Sequence, residues 1–102
     1  SKVTTSITYD PETETYRATF DNAEQAPSMA VVGVLASICE VEPTDLEPIQ
    51  KVIDPDALAS LLVPRTPEQR KRDLSVSFVY HDLDVTIRSY GLVKIAPRTT
   101  GK

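Results

Sequence analysis

The chain has 102 residues, is 40% hydrophobic and 25% charged, and carries a net charge of −4. These are the proportions of an ordinary globular protein, and the length suits one domain over 1–102 with frayed ends at 1–2 and 97–102. No apolar run approaches the ~20 residues needed to span a bilayer, the opening residues lack the apolar stretch of a secretory signal, and a single cysteine excludes an internal disulfide and fits a reducing cytoplasm.

Val3, Thr5, Ile7 and Tyr9 alternate with Thr4, Ser6 and Thr8, a period-two run that predicts a strand. Asp10–Glu14 is turn chemistry, with Pro11 suited to its second position. Tyr16, Ala18 and Phe20 then alternate with Thr15, Arg17 and Thr19 to complete a hairpin. Ser28 is suited to cap the next element. Met29–Glu40 is nearly all apolar or small, and longer than a typical strand, so it predicts a helix, with a buried central strand as the alternative. Three valines and Gly33 lower its intrinsic propensity. Burial against a sheet must therefore hold it, with Val31, Val34, Leu35 and Ile38 inward and Gly33 allowing a close approach. Cys39 reads as a small core residue.

Pro43 to Leu62 carries the most ordered local signals. Asp54 can cap a helix, Pro55 then falls at its first position, and Asp56 adds charge at the positive end of the dipole. Ala57, Leu58, Leu61 and Leu62 follow at helical spacing, and Pro64 limits continuation. A short helix over Pro55–Leu62 is expected. Leu46, Ile49, Val52 and Ile53 recur at three- and four-residue steps, so the connector before it packs inward. Val63–Asp73 reads as an exposed loop. Leu74, Val76, Phe78 and Tyr80 then alternate, as do Leu83, Val85 and Ile87. His81-Asp82 is a tight turn, Ser89-Tyr90-Gly91 a second, and Leu92–Ala96 a last strand. The expected fold is α+β: a single antiparallel sheet of about five strands, in the order β-β-α-α-β-β-β, with two helices packed on one face.

The chemistry-bearing residues are sparse. Cys39 and His81 are the only Cys and His, and a nucleophilic dyad would need them adjacent with an orienting group. Zinc ligands are too few, and Asp54 and Asp56 lack the loop of a calcium site. No Gly-rich phosphate cradle occurs. No cofactor, metal or catalytic residue is expected. Charge is uneven: residues 1–63 carry eleven acids against three bases, and residues 64–102 carry four acids against eight bases. Arg65, Arg70, Lys71 and Arg72 form a basic cluster that could meet phosphates, as could Arg88, Lys94 and Arg98.

Several segments together resemble the halobacterial output domain, a module of haloarchaeal signalling proteins. They are Tyr9–Thr13, Thr15–Asp21, Pro27–Val32, Glu42–Ile49, Val52–Leu58, Val76–Tyr80, Val85–Ile87 and Gly91–Ile95. The chain departs from the family pattern at Gln50-Lys51 and Asp82-Leu83. The resemblance implies a signalling output or adaptor role, stand-alone or fused to other signalling domains, and brings no catalytic residues. The expected function is therefore a non-enzymatic module that works in the cytoplasm through protein contacts, with a protein partner or a second copy of itself. Its contact surface is sought at Gln50, Lys51, Arg65, Arg70, Lys71 and Arg72. The alternatives are a nucleic-acid-binding regulator using the Arg65–Arg72 loop, and a small-ligand sensor with a pocket between sheet and helices.

Overall fold

The computed structural model describes residues 7–21, 24–63 and 66–98, with the backbone but not the side chain of Arg70. Five strands, β1 (Ile7–Asp10), β2 (Thr15–Thr19), β3 (Ser75–Tyr80), β4 (Leu83–Arg88) and β5 (Leu92–Pro97), form one antiparallel sheet in the order β1-β2-β5-β4-β3. Helices α1 (Pro27–Cys39) and α2 (Pro55–Leu62) lie between β2 and β3 in sequence. The expected α+β architecture is therefore the observed one. Residues Val3–Ser6 of the expected first strand lie outside the described residues.

Alternation along each strand decides the layering. The registers Ile7↔Ala18, Ala18↔Val93, Val93↔Ile87 and Ile87↔Val76 put one apolar row across the sheet. A second row runs Tyr9↔Tyr16↔Ile95↔Val85↔Phe78. The helices cover this face. Val31 and Leu35 of α1 and Val85, Ile87 and Val93 of the sheet are fully buried, and Leu58 and Leu62 of α2 join the same core. Each such side chain contributes about 1.5–3 kcal/mol by leaving water. The other face of the sheet has no cover among the described elements.

Helix α2 begins as expected: the Asp54 carboxylate accepts from the N–H groups of Asp56 (3.0 Å) and Ala57 (3.4 Å). Ile49 is buried, and Leu46, Val52 and Ile53 pack against the core, so the connector is an inward-facing joint. It folds as two 3₁₀ turns, Pro43–Asp45 and Ile49–Lys51.

Four local expectations are corrected. Helix α1 starts at Pro27 with Ala26 as its N-cap, because the fixed φ of proline sets the first turn before Ser28, which is buried instead. Cys39 is exposed because it is the last residue of α1, one turn beyond the buried Leu35 and Ala36. Gly33 also faces away from the sheet, and a Cβ there would meet nothing within 4 Å, so it admits no close approach. The loop before β3 holds a one-turn helix, α3 (Pro67–Arg70), because Thr66 Oγ1 accepts from the Gln69 N–H at 3.2 Å.

Two turns set the strand order. His81 and Asp82 both have positive φ (52° and 61°), as a two-residue hairpin turn between β3 and β4 requires. Gly91 has φ of 100°, and the Phe20 N–H donates to its carbonyl at 2.9 Å. A Cβ at Gly91 would collide with the Phe20 carbonyl. This contact seats β5 beside β2.

Candidate functional site

The joint before α2 is tied to the β3–β4 turn from both sides of one peptide position. The Glu47 N–H donates to His81 Nε2 at 2.8 Å, and the Tyr80 hydroxyl donates to the Glu47 carbonyl. The Tyr80 and His81 rings meet edge to face at 4.8 Å. Burial first, and the Glu47 charge second, push the Tyr80 hydroxyl above the ordinary tyrosine range. His81 is thus an exposed turn residue that also serves as a tertiary tether. No hydrogen bond joins it to Cys39. Among the described residues no group of three or more His, Cys, Asp or Glu could hold a metal ion.

Gln50 and Lys51 are exposed on the 3₁₀ turn that follows this tether. Lys71 and Arg72 are exposed at the other end of β3. There the Ser89 hydroxyl locks the chain: it donates to the Arg72 carbonyl (3.0 Å) and accepts from the Leu74 N–H (2.9 Å). Arg65 and the Arg70 side chain lie outside the described residues. Of the described candidates, Lys71 and Arg72 precede β3, and Gln50 and Lys51 follow the tether at its other end, which a six-residue strand holds roughly 17–20 Å away.

Strand β3 is an edge of the sheet. Its only backbone partner among the described elements is β4. Val79, exposed by 41%, and Leu74, by 38%, leave apolar surface along it. Its sequence, SVSFVY, contains none of the lysines or prolines that blunt natural edges.

The open face of the sheet carries a feature that the sequence reading did not assemble. Arg17 of β2 and Lys94 of β5 are direct cross-strand partners, with Thr86 of β4 next in the row. Neither Arg17 nor Lys94 has a carboxylate partner among the described residues. Arg88, one step along β4, donates from Nε to the Tyr90 hydroxyl at 3.2 Å and lies 3.7 Å from Asp73. The bond to Tyr90, and then Asp73, hold its guanidinium more firmly in the charged form. Arg17, Thr86, Arg88, Tyr90, Leu92 and Lys94 border a hollow of about 330 Å³. Arg88 and Lys94 are visible in the sequence as basic residues. Arg17 joins them only because β5 pairs with β2, a contact across most of the chain.

Between sheet and helices, an apolar hollow of about 180 Å³ opens beside Tyr9, Tyr16, Ile38, Leu83, Ile95 and Pro97. Gly33 does not border it. No helix among the described residues is long and apolar enough to cross a membrane.

The family model described as halobacterial output domain 1 matches residues 23–97. The match takes in α1, the joint, α2 and the β3–β5 meander, and leaves β1 and β2 outside it. No curated protein matches the chain, and no solved structure matches it. The matched stretch is the helical layer together with three of the five strands, so this chain belongs to the halobacterial output domain 1 family.

Proposed function

We propose that this protein is a non-enzymatic signalling output module of the haloarchaeal cytoplasm, acting through protein–protein contacts at its β3 edge. The observation that carries this reading is the undefended edge itself. A six-residue strand with high β propensity, no charge and no proline offers its free N–H and C=O groups as a template. An extended segment that adds to such an edge gains backbone hydrogen bonds, and side-chain pockets give it specificity. The segment would run from Lys71 and Arg72 at one end of β3 to the neighbourhood of Gln50 and Lys51 at the other. The two groups expected from sequence to form a contact surface then act as its ends. The occupant is an extended segment of a partner protein or the same edge of a second copy. The family name supports the output role, and the open β3 edge supports this mode of contact.

The test is a charge on the edge. Val79 is exposed, so Val79→Lys keeps the core intact while opposing strand addition. Wild type is expected to self-associate in sedimentation, or to retain a stoichiometric partner on an affinity resin. Val79→Lys is expected to lose that association with an unchanged circular dichroism spectrum. Equal association by both proteins, or none by either, would sink the reading.

A further inference from the structure

We propose that the open face of the sheet is a binding site for a small phosphorylated ligand with a flat ring, a mononucleotide in chemical class. The inference stands apart from the β3 edge and does not depend on it.

Arg17 and Lys94 stand directly opposite each other on neighbouring strands, where side chains lie about 4.5–5.5 Å apart at Cβ. Like charges so placed repel. Among the described residues neither Arg17 nor Lys94 forms an ion pair with a carboxylate. An anion seated between them would relieve the repulsion and accept charge-assisted hydrogen bonds from both. The Thr86 hydroxyl is next in the row, already bonded to Ser77 Oγ at 3.0 Å, and adds a polar wall. Arg88 supplies the third cation, with its guanidinium carbon 5.7 Å from the centre of the Tyr90 ring.

Ligand size follows from what surrounds these cations. The hollow of about 330 Å³ lies at the small end of the range for ligand sites. Tyr90 is 63% exposed and is the one aromatic ring bordering the hollow, so it offers a stacking surface for a single base. Asp84 on β4 and Asp10 on β1 face the same side further along the sheet, by register with Ala96 and Thr15. A polynucleotide leaving the hollow in that direction would pass carboxylates. Bare phosphate would leave Tyr90 and Leu92 unused. One phosphate with one base fits the arrangement better than either.

The test is a titration of the isotope-labelled chain, followed through its backbone amides, with AMP, inorganic phosphate and a thymidine oligonucleotide as separate probes. Saturable AMP shifts are expected at Arg17, Thr86, Arg88, Tyr90 and Lys94, weakening as salt rises. Lys94→Thr is expected to weaken AMP binding about tenfold or more. The same variant is expected to melt at a higher temperature, because it removes the repulsion. A lysine with a purely structural role would give a lower melting temperature. Tyr90→Ser is expected to bring AMP down to the level of inorganic phosphate. The proposal is overturned if AMP causes no shifts, if its shifts lie elsewhere, or if Lys94→Thr binds AMP as wild type does. It is also overturned if phosphate alone binds as well as AMP, leaving an adventitious ion only, or if the oligonucleotide binds more tightly per site.

Discussion

Tyr80 shows how one side chain joins distant parts of this fold. It is the last residue of β3 and 1% exposed, yet its hydroxyl reaches the Glu47 carbonyl in the joint before α2. Tyr80→Phe keeps the buried ring and removes the donor, so it should cost about 1 kcal/mol. Urea unfolding of the two proteins at neutral pH checks this. The same hydroxyl carries a pH signature. Its proton is held above the ordinary tyrosine range when folded, chiefly by burial. The unfolded chain gives the proton up first, at about pH 10. The contribution is complete below that pH and is lost as pH rises towards the folded value, because the native state then binds more protons. Wild type should therefore lose stability above about pH 10 more steeply than Tyr80→Phe. Parallel pH profiles would refute the assignment. None of this was legible in the sequence. Tyr80 reads there as one inward residue of a strand, and His81 as a turn residue, because their common partner Glu47 is set by tertiary packing. The same holds for Ser89, whose hydroxyl does the work of a turn with no local motif to announce it.

Elements were legible where their signals are local. The Asp54 cap works over two and three residues of sequence, so the start of α2 could be read directly, and spacing placed Leu58 and Leu62 in the core, although Leu61 of the same apolar series is exposed. Strand alternation revealed one wet face for the same reason. Helix α1 was harder. Its length and apolarity reveal a helix, and Val31, Val34, Leu35 and Ile38 face the core as expected, but the neighbours of that stripe are apolar or small as well. Gly33 was consequently read on the wrong side, and Cys39 was read as buried although it ends the helix. The corrected placement yields a direct prediction. Gly33 is a mid-helix glycine, exposed, with nothing for a Cβ to touch. Gly33→Ala should raise stability by about 0.5–1 kcal/mol, by restricting the unfolded chain and favouring the helix. That is a rise of several degrees in melting temperature for a domain of this size. A fall would mean that the outer side of α1 is covered by something this structure does not contain.

At the scale of the whole molecule the decisive feature is a sheet with helices on one side and cations on the other. The acids of residues 1–63 outnumber the bases by eight, and six of the eleven, Glu40, Glu42, Asp45, Glu47, Asp54 and Asp56, lie between the end of α1 and the first turn of α2. Three cations, Arg17, Arg88 and Lys94, meet on the open face. The sequence shows this asymmetry as a difference between two halves. The pairing of β2 with β5 turns it into a difference between two surfaces by carrying Arg17 across to Lys94. Each surface repels itself, and such repulsion opposes the compact state. The ion pairs with both partners described, Arg88–Asp73 at 3.7 Å and Arg98–Asp82 at 3.2 Å, are exposed and contribute roughly 0–1 kcal/mol each. Salt therefore screens more repulsion than attraction. The melting temperature should rise by several degrees as sodium chloride goes from about 0.01 M to 1 M, over which the screening length falls from about 30 Å to 3 Å. Lys94→Thr should start higher and rise less, since one repulsive pair is already gone. A melting temperature that is flat or falls with salt would show that attraction between the two charged surfaces outweighs the repulsion within each. The open face would then be held together by its charges rather than strained by them.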